Sequence, residues 1–424
     1  MTLSIPARLR LDNAANIYPA SMSKHYSSLY RMSMSLSEPV DGDILQKALE
    51  QTTLRIPTFR CGLKAGTFWW FLERLDSEPQ VLPLKPLKKF SFLDQKGLLY
   101  RVSADGERIC LDVFHALTDG FGALSFLQTL TGEYLRLRYG ISIEYDALTL
   151  DPFQAPVFSE FEDSFKSVFT GRRGTLEKNV DAFHISGDVM EHNALEDFRI
   201  QLPMESVKQL CHKYDCTVTE LVCSVMLDAL QKEHRLSARR KSTVLKVSVP
   251  INLRPLYGTR TLRNFSSYVN LGVDVRNGYL SFPNIVRAVK SQKERDMQQE
   301  RLEPKIAANV ELEESSLVKI IPLFIKHPII DIINLLHGDR YCSQTLSNLG
   351  AINLPEAMRP YVKDVDFVLG RQRGNSGAAA CLGYDGHLNL HLSRKISSDR
   401  YEKAVAACFR ALGADASVST SRLA

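Results

Sequence analysis

A strand pair that runs directly into a long apolar helix limits the folds open to this chain. The segment "LLYRVSADGERICLDVFH" (98–115) reads as strands joined by a turn. Its "ADGE" makes a hairpin-type turn, because Asp-Gly tolerates positive φ. Residues 121–138 then form an apolar helix that stops at Tyr139-Gly140, glycine being a usual helix stop. Similar signals recur along the chain. Helical spacing marks 41–50, and "GTFWWFLERL" (66–75) reads as a strand, which makes Trp69 and Trp70 strand and core residues. The segment 204–233 gives two consecutive helices, with Thr219 as the expected cap of the second. "STVLKVSVPINLRP" (242–255) and "NFSSYVNLGVDV" (264–275) are strands, and 284–300 is a charged surface helix. "YDGHLNLHLSR" is a turn and strand, and "DRYEKAVAACFRAL" is a final helix. The small, polar tail after it is expected to fray. Residues 141–190 show no sustained period and read as a crossover. The two halves share one outline of strands and helices in mixed order. The expected fold class is therefore α/β, with mixed sheets in two domains, 1–190 and 191–424.

Composition agrees with this reading. A chain of 424 residues, 44% hydrophobic and 24% charged, has apolar material for more than one sizeable core. Its 53 basic and 48 acidic residues leave a net charge of +5, compatible with an anionic cosubstrate and too small to argue for nucleic acid. Eight scattered cysteines without a CxxC pair read as reduced and buried, as in a cytoplasmic protein. The opening "MTLSIPARLRLDN" lacks the apolar core of a signal peptide. The apolar segment 316–338 is interrupted by Lys319, Lys326, His327 and Asp331, and by Pro322 and Pro328. A membrane span needs about 20 mostly apolar residues, so buried helices broken at the prolines are expected, in preference to a membrane-surface element. Arg239 to Lys241 read as a solvated loop.

The joint between the second strand and the helix carries the chemistry: "HALTDGFG" (115–122), a His-x-x-x-Asp-Gly pattern. A strand ending at His115 projects its imidazole past the sheet edge. Imidazole titrates near neutrality, so it can take a proton from a hydroxyl. Asp119 stands at the helix start, where a carboxylate favours the dipole or can pair with a distant arginine. Gly120 and Gly122 remove Cβ atoms where backbone or ligand must come close. His387 and His391 share a strand face four residues apart, but nothing supplies further metal ligands, so both read as structural.

With these residues in place, "VFHALTDGFGALSFLQTLTGEYL" resembles the chloramphenicol acetyltransferase superfamily of acyltransferases. That superfamily includes plant BAHD acyltransferases, peptide-synthetase condensation domains and bacterial alcohol acetyltransferases. The segments "LDNAANIYPA" (11–20), 45–73 and "SVPINLRP" (248–255) look most like the bacterial alcohol acetyltransferase-like group. "RNFSSYVNLG" (263–272) and "TLSNLG" (345–350) match further landmarks. The resemblance implies two chloramphenicol acetyltransferase-like domains forming a pseudo-dimer, with a tunnel at their junction. It implies His115 as general base, and Asp119 paired with Arg254 in a structural ion pair. Asn264, Ser266 and Tyr268 become oxyanion or tunnel candidates, against the alternative of ordinary strand and turn polarity. Asn348 is a landmark beside the tunnel, or simply a turn former. The donor implied is acyl-CoA, used as a cosubstrate, with no bound cofactor and no metal. The acceptor implied is a small-molecule alcohol. The apolar region 317–336 is a candidate tunnel wall for a lipid-like alcohol. The plant DFGWG motif is absent, and "VDFVLGRQRG" (365–374) stands at a comparable place. Two other functions stay open: a carrier-dependent, amide-forming condensation enzyme, and a catalytically silent protein that binds a ligand in the tunnel.

Overall fold

The computed structural model describes residues 5–22, 26, 28–87, 96–169, 180–238, 241–337 and 339–423, apart from the side chains of 309, 312, 316, 317, 331–337 and 339. In the first half the strands are β1 (Arg8–Arg10), β2 (Leu29–Leu36), β3 (Cys61–Ala65), β4 (Trp70–Arg74), β5 (Val81–Pro83), β6 (Tyr100–Asp105) and β7 (Arg108–Phe114). In the second half they are β8 (Glu196–Pro203), β9 (Val244–Asn252), β10 (Ser266–Asp274), β11 (Gln344–Ala351), β12 (Val362–Leu369), β13 (Gly377–Tyr384), β14 (His387–Arg394) and β15 (Ser417–Arg422).

These strands form three sheets. A small antiparallel sheet runs β1-β4-β3. A five-stranded sheet runs β12-β2-β7-β6-β5, antiparallel except where β5 meets β6. A seven-stranded sheet runs β10-β9-β11-β13-β14-β8-β15, with β11 parallel to both its neighbours. Mixed sheets flanked by helices are thus the architecture, in two lobes with separate apolar cores. One strand crosses between the halves of the sequence. β12 lies late in the chain but pairs with β2 in the first lobe, where Val365 and Phe367 join the core.

The helix Gly120–Tyr139 is buried on nearly every side of its first four turns. A helix apolar all round belongs inside a lobe. It ends at Gly140, whose φ of 67° is left-handed backbone that glycine adopts without strain. Helices Met204–Tyr214, Val218–Leu236, Phe282–Asp296 and Arg400–Ala411 belong to the second lobe.

Four expectations need correction. Thr217, not Thr219, caps the helix Val218–Leu236. Its hydroxyl accepts from the Glu220 N–H while the Glu220 carboxylate accepts from the Thr217 N–H. The tail does not fray. Ser417–Arg422 pairs with β8 through backbone bonds, although its side chains are all exposed. The apolar segment breaks at Pro322 but not at Pro328, which lies inside the helix Leu323–His337, and it is not buried throughout, since Ile320, Phe324, Ile325 and Ile329 are exposed. Pro328 only removes the bond to the carbonyl of Phe324, and both residues are exposed, so water can take that carbonyl. Trp69 precedes β4 rather than sitting in it, and both tryptophans are half-buried. The Trp69 ring makes cation–π contacts with the Arg10 guanidinium (3.9 Å) and the Lys326 ammonium (3.4 Å). Arg239 and Arg240 lie outside the described residues. Among the described residues, no helix is long and apolar enough to cross a membrane.

Candidate active site

β7 delivers His115. The strand ends at Phe114, but the His115 N–H still donates to the Ser28 carbonyl at 2.9 Å, so the ladder with the first lobe extends one residue further. The imidazole then projects past the sheet. Two tyrosines hold its plane. Tyr18 stacks on it, with centroids 4.3 Å apart and planes 19° apart, and Tyr30 meets it edge-on at 5.1 Å.

The two ring nitrogens have different partners. Nδ1 lies 3.1 Å from Oδ1 of Asn264, and Nε2 lies 3.4 Å from the Tyr18 hydroxyl. Asn264 is 1% exposed, and its Nδ2 donates to Oδ2 of Asp12 at 3.3 Å. An ionised carboxylate only accepts, so above about pH 7, where Asp12 is mainly ionised, the amide of Asn264 points its NH₂ at Asp12 and its oxygen at His115. Nδ1 then carries the proton, and Nε2 keeps its lone pair. Burial holds the His115 pKa below its ordinary 6.5, so the ring is neutral at pH 7. Burial also pushes Asp12 up to about 7, against the pull of the Arg263 guanidinium.

Asp119 faces the other way. Its side chain caps the helix by accepting from the Gly122 N–H at 3.2 Å. It also makes a two-point ion pair with Arg254 and accepts from the Phe265 N–H at 3.0 Å. Arg254 further donates to the carbonyls of Thr261 and Arg263. The pair therefore holds the turn 261–265, which carries Asn264, against the end of β7.

The motif glycines serve that approach. A Cβ at Gly122 would sit 2.1 Å from both the Leu262 carbonyl oxygen and the Thr118 hydroxyl. A Cβ at Gly120 would sit 2.9 Å from the Leu349 side chain. So the second lobe reaches the histidine turn at two places, 261–265 and the end of β11.

Of the other site candidates, Ser266 and Tyr268 lie on β10, paired with Asn252 and Pro250 of β9, and Tyr268 is about half exposed. Asn348 on β11 donates to the Thr219 hydroxyl at 2.9 Å and accepts from the Gly350 N–H at 2.8 Å. Among the described contacts, only Asn264 of these four meets His115. Its amide is committed at both ends, to His115 and to Asp12. Asp12 and Tyr18 escaped the sequence reading. Both lie within "LDNAANIYPA", where Asp12 accepts from the Ala15 N–H at 2.8 Å. His387 Nδ1 lies 2.9 Å from the Asp385 carbonyl oxygen. His391 spends both ring nitrogens on Asp197 and Asp366, and no cluster of three ligating side chains occurs among the described residues.

No protein-family model matches the chain, and no curated protein sequence matches it. Solved structures do. Polyketide synthase associated protein 5 from Mycobacterium tuberculosis is similar with a TM-score of 0.66 at 13% identity, over 97% of this chain and 99% of that one. TRI101 of F. sporotrichioides, complexed with coenzyme A and T-2, gives 0.61 at 12% identity, over 98% and 100%. The first condensation domain of the calcium-dependent antibiotic synthetase gives 0.59 at 15% identity, over 97% and 96%. The chain has the chloramphenicol acetyltransferase-like fold that such acetyltransferases and condensation domains share.

Proposed function

We propose that the chain is an acyltransferase that moves an acyl group from acyl-CoA to an alcohol hydroxyl, with His115 as general base. The observation that carries this reading is the hydrogen bond from His115 Nδ1 to Asn264, which leaves a neutral, basic Nε2. The acceptor hydroxyl takes the place of the Tyr18 hydroxyl at Nε2. Nε2 removes its proton while the acceptor oxygen attacks the thioester carbonyl carbon. The tetrahedral intermediate collapses with cleavage of the C–S bond, and the imidazolium returns the proton to the departing thiolate. The attacking oxygen belongs to the substrate, so no serine or cysteine nucleophile is needed. Asp119 and Arg254 hold the turn and take no part in proton transfer.

The tunnel implied by the fold would pass His115 at the junction of the lobes. The helix Leu323–His337 packs on the short helix Ile17–Ser21 that carries Tyr18, with His327 Nε2 3.0 Å from the Pro19 carbonyl oxygen. An apolar wall on the acceptor side, drawn from 317–336, is part of the proposal. A free CoA thioester as donor fits the neighbour complexed with coenzyme A. A carrier-bound donor has support from the condensation-domain neighbour.

The test is release of free thiol from acetyl-CoA and longer acyl-CoAs with a panel of alcohols and amines. Acceptor-dependent release that falls about 10²–10⁴-fold in a folded His115→Ala variant is the expected result. Equal release in both proteins would rule out His115 as the base. Release only with a carrier-bound thioester would favour the condensation reading.

A further inference from the structure

Asp12 is a fully buried carboxylate 252 residues away in sequence from the side chain it holds. We infer that Asp12 is a positioning residue that sets the tautomer of His115 through Asn264. Its catalytic meaning rests on the acyl-transfer reading, but the tautomer does not.

The two ends of a carboxamide have nearly the same shape, so packing alone cannot orient Asn264. What lies behind it decides. Asp12 uses Oδ1 to accept from the Ala15 N–H at 2.8 Å, which leaves Oδ2 for Asn264 Nδ2 at 3.3 Å. The Arg263 guanidinium stands 3.6 Å from the same Oδ2 and favours ionisation, but burial outweighs it and pushes Asp12 up to about 7, so the carboxylate is mainly ionised at pH 8. Asn264 then has only its oxygen to offer His115 Nδ1, at 3.1 Å. Were the amide reversed, its NH₂ would face Nδ1 and, against the pull of the His115 backbone carbonyl on the ring N–H, would drive the ring proton to Nε2, where the base would lose its lone pair. A buried carboxylate two residues removed from substrate therefore selects the reactive form of the imidazole. The carboxylate of a Ser-His-Asp triad does the same by direct contact, where replacing it with the amide costs about 10⁴-fold in kcat through the wrong tautomer.

Asp12→Asn separates this role from packing, because it keeps the shape. The new amide must still accept from the Ala15 N–H, so its NH₂ faces Asn264 and turns that amide over. The double variant Asp12→Asn with Asn264→Asp restores the order of donors and acceptors. A carboxylate at position 264 accepts from Nδ1–H on one side and from the amide at position 12 on the other.

The readout is the long-range ¹H–¹⁵N correlation spectrum of protein labelled with ¹⁵N-histidine at pH 8, with the His115 signal assigned by its loss in His115→Ala. Protonated Nδ1 is expected in the unmodified protein, protonated Nε2 in Asp12→Asn, and protonated Nδ1 again in the double variant. In the acyl-transfer assay, kcat is expected to fall about 10²-fold or more in the single variant with KM little changed, and to recover at least about tenfold in the double variant. Protonated Nε2 in the unmodified protein would overturn the inference, whether or not any variant folds. So would an unchanged tautomer in folded Asp12→Asn. A tautomer switch without any acyl transfer would leave this inference standing and sink the proposed function.

Discussion

Asp119 and Arg254 meet through two parallel bonds, Oδ2 to Nη1 at 2.9 Å and Oδ1 to Nη2 at 3.0 Å, and both side chains are buried. The pair joins the histidine turn of one lobe to the start of the helix Arg254–Tyr257 and the turn 261–265 of the other. Removing one member of such a pair strands the other charge. We expect Asp119→Ala to lose about 3–5 kcal/mol of unfolding free energy in urea. Arg254→Lys should also destabilise, since an ammonium cannot reproduce the fork or the bonds to two carbonyls. Loss of under about 1 kcal/mol in both variants would mean that the pair does not hold the lobes together.

Gly122 is expected to tolerate no side chain. Its added Cβ would meet the Leu262 carbonyl oxygen at 2.1 Å, and that backbone cannot retreat without shifting Asn264. Gly122→Ala should cost about 1–3 kcal/mol or more through overpacking. Gly42→Ala is the contrast. It opens the helix Gly42–Arg55 with nothing within 4 Å of an added Cβ, so a gain of about 0.4–1 kcal/mol is expected. Thermal melts of the two variants should move in opposite directions. Melts that move together would contradict the close approach at 122.

The strand–turn–helix around His115 was legible because its signals are local. Alternation marks β6 and β7, Asp-Gly marks their turn, and an unbroken apolar run marks the helix. β15 was not legible, because backbone bonds to β8 hold it and no side chain is buried to leave a pattern. The pairing of β12 with β2 was not legible either, since it depends on which edge β2 leaves open. Asp12 stayed hidden for a related reason. Its bond to the Ala15 N–H is local, whereas its bond to Asn264 exists only once the lobes meet. Arg254 was found through a resemblance, because nothing local to Asn-Leu-Arg-Pro points to Asp119.

Tyr18 covers the face of His115, and burial is the main cause of the lowered imidazole pKa. Removing the ring admits water, which solvates the imidazolium better than the neutral form. The midpoint of His115 should therefore rise toward 6.5 in Tyr18→Ala. It should stay low in Tyr18→Phe, which keeps the cover and loses only the hydroxyl. NMR titration of the assigned His115 signal reads both. Identical midpoints in the alanine variant and the unmodified protein would show that Tyr18 does not shield the ring.

His391 gives stability a pH dependence that has nothing to do with the active site. It sits on β14 with Nδ1 2.8 Å from Asp197 of β8 and Nε2 3.0 Å from Asp366 of β12. Two acceptors at both nitrogens require both protons. Burial opposes the charged ring, but the Asp197 carboxylate and the bonds to both aspartates outweigh it and raise the pKa to about 10. Arg199 also faces Asp366, at 3.4 Å, and pairs with Asp364, so the cluster ties β12 of the first lobe to the second sheet. The folded pKa lies above the ordinary value of 6.5, so the folded state holds the proton more tightly. The stability that His391 contributes is complete below about pH 6.5 and is lost as pH rises toward and through about 10. Urea unfolding of the unmodified protein and of His391→Gln at pH 6, 8 and 10 should show a difference that shrinks steadily with pH. A difference that stays constant from pH 6 to 10 would mean that no imidazolium bridges the lobes.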